Sequence, residues 1–178
     1  NQGKDELYHF NKWDVCEKNG VQLINIWEDD WNDKPELIKT MLENIVSPKP
    51  DVISPTIITL IENEAEEFLI KNHLQGFTAG SHYLGLKTKG DIEKLVAILV
   101  VKLEPGSDNK TLNIIRYATN TTVIGGFTKL LKYAETQYNP HEFVTFSDNT
   151  ISDGGLYENN GFVDVKFIRP DYMYAVEG

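Results

Sequence analysis

Residues Val123–Phe162, VIGGFTKLLKYAETQYNPHEFVTFSDNTISDGGLYENNGF, decide how this chain is read. They run as a glycine turn, an amphipathic helix, an apolar strand and a short helix closed by Gly161-Phe162. Gly125-Gly126 lets backbone N–H groups face a diphosphate at a helix N-terminus, where the macrodipole and the first-turn donors both favour an anion. The pattern predicts a helix over Gly126–Gln137, a strand over Phe143–Phe146 and a helix over Ser152–Asn159.

Upstream, Pro105-Gly106-Ser107-Asp108-Asn109 is strong turn chemistry between two apolar runs, so Lys94–Leu103 and Thr111–Tyr117 are predicted to form an antiparallel hairpin. Before it come a strand at Ile53–Leu60, a helix at Glu62–Asn72, a turn-rich stretch from Gln75 to Gly80 and a strand at His82–Lys87. A final strand or pair is expected between Val163 and Val176. Ser47-Pro48-Lys49-Pro50-Asp51 disfavours helix and marks a connector, dividing the chain into residues 1–50 and 51–178. In the first part, Leu7–Asn19 reads as a helix stopped by Asn19-Gly20, Val21–Trp27 as a half-buried strand, and Asp33-Lys34-Pro35-Glu36 as the start of a helix to Val46, with Asp33 as candidate cap.

Composition bounds the function. At 178 residues with 40% hydrophobic and 11% aromatic content, the chain can build a substantial core. One cysteine, Cys16, fits a reducing compartment and argues against a zinc ribbon. A net charge of −10 weighs against a broad nucleic-acid footprint. No run approaches the ~18 apolar residues of a membrane span, and no leader pattern is visible, so a cytoplasmic protein with no membrane partner is the expectation. Asn1-Gln2-Gly3-Lys4-Asp5 does not look like an initiation site, and a fragment or a processed product is expected.

From about Ile53 onward the order β-α-β-β-β-α-β-α-β resembles the GNAT superfamily of N-acyltransferases, an α+β fold with a mixed, mostly antiparallel sheet flanked by helices. In that family a loop Gln/Arg-x-x-Gly-x-Gly/Ala opens a helix continuing x-x-Leu-Leu. Thr122-Val123-Ile124-Gly125-Gly126-Phe127-Thr128-Lys129-Leu130-Leu131 matches the first Gly and the Leu pair, with Thr122 replacing Gln or Arg and Phe127 replacing Gly or Ala. The resemblance implies acetyl-CoA or another acyl-CoA as cofactor, held by Val123, Ile124, Gly125, Gly126, Phe127, Thr128 and Lys129 with Arg116. It also implies a role for the backbone of Val96–Val101 in aligning the acyl carbonyl. The bulky Phe127 either obstructs the diphosphate or turns into the core. Tyr157, before Gly161-Phe162, stands where such enzymes often protonate the departing thiolate; a phenol of pKa about 10 suits that task. A packing aromatic is the alternative.

Val144-Thr145-Phe146-Ser147-Asp148 followed by Gly155-Leu156-Tyr157 resembles the Mom group of phage DNA-modifying proteins. That likeness implies Asp148 and His73 as the acid–base pair and a nucleic-acid base or nucleotide as acceptor. A carboxylate that orients an imidazole raises its basicity toward an amine proton. A turn-forming Asp148 and a helix-terminal His73 are the alternatives; the same pair holding a metal with a further ligand is a third.

Residues Tyr8 to about Val46 resemble the closing half of Vsr-like phage homing endonucleases through Tyr8-His9-x-x-Lys12, Gly20-x-x-Leu23-Ile24-x-Ile26 and Glu28-Asp29-x-Trp31. The acidic metal ligands of that family lie mostly before the Tyr-His helix, so the resemblance implies a missing upstream nuclease portion and an infected bacterial host. Three readings stay open: an acyl-CoA-dependent N-acyltransferase, a DNA-binding accessory part of a homing endonuclease without transferase activity, and a degenerate GNAT-like scaffold for protein contacts with Phe127 filling the vacated cofactor groove.

Overall fold

A computed structural model describes residues 7–47, 50–51, 55–60, 62–89, 91–106, 111–165 and 168. The elements in chain order are α1 (Tyr8–Lys18), α2 (Glu28–Asp33), α3 (Pro35–Val46), β1 (Pro50–Asp51), β2 (Thr56–Thr59), α4 (Glu62–Asn72), β3 (His82–Lys87), β4 (Leu95–Leu103), β5 (Thr111–Thr119), β6 (Thr122–Val123), α5 (Gly126–Tyr138), β7 (Glu142–Thr145) and α6 (Gly155–Glu158). The chain divides into two compact units, Lys34–Phe146 and Asn1–Asp33 with Ser147–Gly178.

The larger unit is built on a five-stranded sheet of order β2-β3-β4-β5-β7, antiparallel except for the parallel β5–β7 pair. It is an α+β fold. β4, LVAILVVKL, sits at the centre and buries Val96 through Val101 completely or nearly so. A strand covered on both faces reads as an unbroken apolar run, which is why its sequence lacks alternation. Helix α4 packs on β4 and β5; helix α5 packs on β3 and β4. Leu60, Ala65, Phe68, Leu69, Tyr83, Ile98, Val100 and Ala118 form a core cluster that includes α4. The paired positions Leu84, Leu99 and Tyr117 alternate with it onto the other face, where Tyr117 meets Phe127 of α5. Phe127, Leu130 and Ala134, spaced three and four apart, are the buried stripe of α5. Asn139 ends that helix in the left-handed conformation, followed by Pro140.

In the smaller unit the sequence expectation is corrected. Val21–Trp27 is not a strand: its described backbone makes Val21 N–H to Cys16 O (2.9 Å) and Asn25 N–H to Thr150 O (2.6 Å), and no ladder forms. Apolar alternation without a neighbouring edge yields only extended chain. Glu28–Asp33, which contains the Glu28-Asp29-x-Trp31 motif, is a short helix, with Glu28, Asp29 and Asp30 in the first turn where the helix dipole favours acids. Lys34, not Asp33, caps α3, and no side chain serves that cap. Of the final strand expected at Val163–Val176, residues 163–165 and 168 are described and are not strand; the remainder lies outside the described residues. No helix among the described residues is long and apolar enough to cross a membrane.

Candidate cofactor site

The site begins where the only parallel pair of the main sheet parts. Thr111, Leu112, Asn113 and Ile114 of β5 pair with Glu142, Phe143, Val144 and Thr145 of β7. Thr145 Oγ1 then donates to Ile114 O (3.1 Å), closing the ladder from its end. β5 nevertheless continues five residues further, to Thr119, still paired on its other side with β4. The cause of the parting lies in the register. Val100 faces Arg116 but Val101 faces Ile114, so Ile115 is an extra residue in β5, a bulge that increases local twist. Among the described residues, the segment 115–119 thus has an edge that β7 does not cover.

This geometry corrects one expectation. The backbone of Ala97–Val101 is paired on both sides, with β3 and β5, and Val96 O accepts from Asn120 N–H (3.1 Å), so this stretch is not free to align a ligand's carbonyl; the available edge belongs to β5.

The same strand leads to the glycine turn. Thr122 and Val123 are held as β6 against Pro50 and Asp51 in a short parallel pairing, which fixes the approach to the loop. Gly125 lies at φ +66, a left-handed conformation natural to glycine, and a Cβ there would meet nothing within 4 Å. The outer side of the turn is therefore open, and Ile124 is 66% exposed beside it. Gly126 is different: a Cβ would lie 3.1 Å from both Tyr117 Oη and Val123 Cγ1. Gly125 gives the turn its shape; Gly126 lets the helix seat closely on the sheet.

Phe127 is only 2% exposed, and its ring meets Tyr117 edge-on with centroids 5.1 Å apart. It turns into the core. The Phe127 N–H donates to the Tyr117 hydroxyl, so one first-turn amide of α5 already holds a protein acceptor. Burial pushes the Tyr117 phenol up to about 12, opposed by that N–H, which favours the ionised form. Lys129 does not reach the turn's open side through a spare charge: its Nζ donates to Pro55 O. Arg116 projects to the α4 side, with Nε on Gly76 O (3.2 Å) and Nη1 on Ile115 O (2.7 Å). Val123 is buried, and Thr128 is half-buried.

No family model matches this chain, and no curated protein matches it. Solved structures do. Two crystal structures of an aminoglycoside acetyltransferase from an uncultured soil metagenomic sample, one in complex with trehalose and one with sisomicin, align at TM-score 0.49 with 18% and 17% identity; each alignment covers 68% of this chain and 97% of that one.

The three residues expected to do acid–base work are divided. His73 belongs to the larger unit, Asp148 and Tyr157 to the smaller. His73 follows α4, and its Nδ1 accepts the Gln75 N–H (3.2 Å). In the neutral ring this leaves the proton on Nε2, so that nitrogen donates in this tautomer. Asp148 Oδ1 accepts from Thr150 N (3.0 Å) and Thr150 Oγ1 (2.6 Å), while its carbonyl accepts from Ile151 and Ser152, the pattern of a side-chain-stabilised turn. Tyr157 in α6 meets Phe162 edge-on at 5.7 Å, and its carbonyl accepts the N–H groups of Asn160 and Phe162. Sequence reasoning missed Tyr117. Its spacing before the glycine turn carries no motif, and only the fold places its hydroxyl at the start of α5.

Proposed function

We propose that this chain is an acyl-CoA-dependent acyltransferase acting on an amine. The observation that carries the reading is the partial β5–β7 ladder: two parallel strands paired over four residues, then parted at a bulge, with the longer strand running on toward a glycine-led helix N-terminus. The edge of 116–119 that β7 leaves unpaired suits an extended, amide-bearing pantetheine arm. The open turn at Ile124-Gly125 and the first amides of α5 suit its diphosphate. The residues present fit the group: Gly125 leaves its outer side clear and Phe127 is withdrawn into the core. When bound, acyl-CoA supplies a thioester activated toward nucleophiles. The protein's part is to hold that thioester and the amine in line, replacing a bimolecular encounter by an oriented one.

For proton transfer the assignment rests on side-chain chemistry. Tyr157 would return a proton to the thiolate sulfur, and His73 or Asp148, directly or through water, would take one from the attacking amine, His73 only after its Nδ1 releases the Gln75 N–H and the ring changes tautomer. An amine on a nucleic-acid base or nucleotide is the acceptor that the Mom-like stretch around Asp148 implies, and a phage source goes with it.

Acetyl-CoA titrated into the full chain should raise Tm with the logarithm of its concentration once above Kd, and CoA thiol should be released when amines are supplied. A flat Tm at millimolar acetyl-CoA sinks the transferase reading. Tyr157→Phe is expected to lower kcat about 100-fold or more while KM for acetyl-CoA stays put. An unchanged kcat would make Tyr157 a packing residue.

A further inference from the structure

Lys34 and Arg116 stand far apart in sequence, yet both converge on the turn that follows α4. Lys34 Nζ donates to Leu74 O at 2.7 Å and lies 3.5 Å from His73 O; it would also lie 3.8 Å from a Cβ on Gly76. Arg116 Nε donates to Gly76 O at 3.2 Å. Both cations are partly buried, and neither forms an ion pair with a carboxylate among the described residues. That is unusual company in a chain of net charge −10. A half-buried cation is stabilised by an opposite charge, and here only carbonyl dipoles supply it. Desolvation accordingly pulls the Arg116 guanidinium below its ordinary value.

The arrangement is also built rather than loose. Nε and Nη1 of Arg116 are tied to Gly76 O and Ile115 O, which leaves three of its five N–H donors for another acceptor. The bulge at Ile115 immediately precedes Arg116, whose guanidinium reaches this turn. The loop itself is pressed on the sheet at Gly80, where a Cβ would lie 2.4 Å from Val100 Cγ1 and 3.0 Å from Val101 O, and Gly80 N–H donates to Tyr83 Oη (2.9 Å).

We propose that Lys34 and Arg116, flanking Gly76, form a binding site for an oxyanion, carboxylate or phosphate, carried by the acceptor molecule. The word acceptor rests on the transferase reading; the anion site does not. Arg116 faces the α4 side of β5, whereas its neighbour Tyr117 faces the start of α5. A group held by the two cations therefore lies on the face of β5 opposite the cofactor turn.

The test uses inorganic phosphate and, separately, acetate, added to the full chain at constant ionic strength with chloride as baseline, and follows the Gly76 and Gln75 amide resonances. A saturable displacement with one or both anions is expected, and whichever saturates first identifies the class. Lys34→Met and Arg116→Met should each weaken it about tenfold or more, equivalent to about 1.4 kcal/mol. Saturation with acetyl-CoA should leave the response in place. Arg116→Lys, which keeps charge but loses the planar fork, should fall between and guards against a variant that fails to fold. A response no different from chloride, or one unaltered in folded Lys34→Met, overturns the proposal and leaves the two cations as partners of the backbone carbonyls of His73, Leu74, Gly76 and Ile115. Phosphate saturation without any acetyl-CoA response would retain the anion site and remove the transferase reading.

Discussion

Phe127→Ala should lower the unfolding free energy by about 3–5 kcal/mol and should not improve acetyl-CoA binding. The reasoning starts from position. In the family the sequence resembles, a small residue usually stands there, and a phenyl ring lining the cofactor turn would act as a plug whose removal opens the groove. The structure puts the ring at 2% exposure, edge-on to Tyr117, on the same stripe of α5 as Leu130 and Ala134. Truncation therefore leaves a cavity under the helix, at the price a core phenylalanine commands, rather than space at its open side. Chemical denaturation gives the first quantity and isothermal titration with acetyl-CoA the second. A variant of undiminished stability that binds acetyl-CoA more tightly would mean that the ring is a plug after all.

Much of the larger unit was legible because its signals are local. Glu62–Asn72 carries its own helix periodicity, the β4 run announces double burial, and Gly125-Gly126 announces a turn before a helix. What the sequence could not disclose depends on pairing. The bulge at Ile115 exists only in the register between β4 and β5, and the early end of the β5–β7 ladder exists only in the relation of two distant segments. Val21–Trp27 failed for the complementary reason: alternating side chains describe a face, but a strand also needs a partner edge. Of the candidate site, the glycine turn was readable from φ preference alone. The engagement of Phe127 N–H by Tyr117, and the diversion of Arg116 and Lys129 to carbonyls at Gly76, Ile115 and Pro55, were not, since long side chains choose among acceptors that only the fold assembles.

Tyr117→Phe should flatten the loss of stability at alkaline pH and, near neutral pH, exchange a little stability for cofactor affinity. Burial raises the folded-state phenol to about 12, against about 10 in the unfolded chain. Below about pH 10 both states keep the proton and the phenol adds no pH dependence. Between about 10 and 12 the unfolded chain ionises while the folded one does not, so the unfolded state binds fewer protons and stability falls as pH rises. The step from about 10 to about 12 is worth about 3 kcal/mol. Tyr138, also raised by burial and by Tyr133, bends the curve in the same direction, so the informative quantity is the difference between wild type and Tyr117→Phe. Denaturation midpoints measured from pH 8 to pH 12 should favour the wild type at the start and cross as pH rises, leaving Tyr117→Phe the more stable protein by about pH 12. At pH 7 the variant gives up the hydroxyl acceptor of the Phe127 N–H, a net cost of about 1 kcal/mol. That same amide is one a diphosphate at the start of α5 would use. An acyl-CoA bound there would compete with the phenol oxygen for it in the wild type and not in the variant, so acetyl-CoA should bind the variant up to about tenfold more tightly. Weaker binding by the variant would instead make the Tyr117 hydroxyl a donor to the diphosphate and part of the cradle itself.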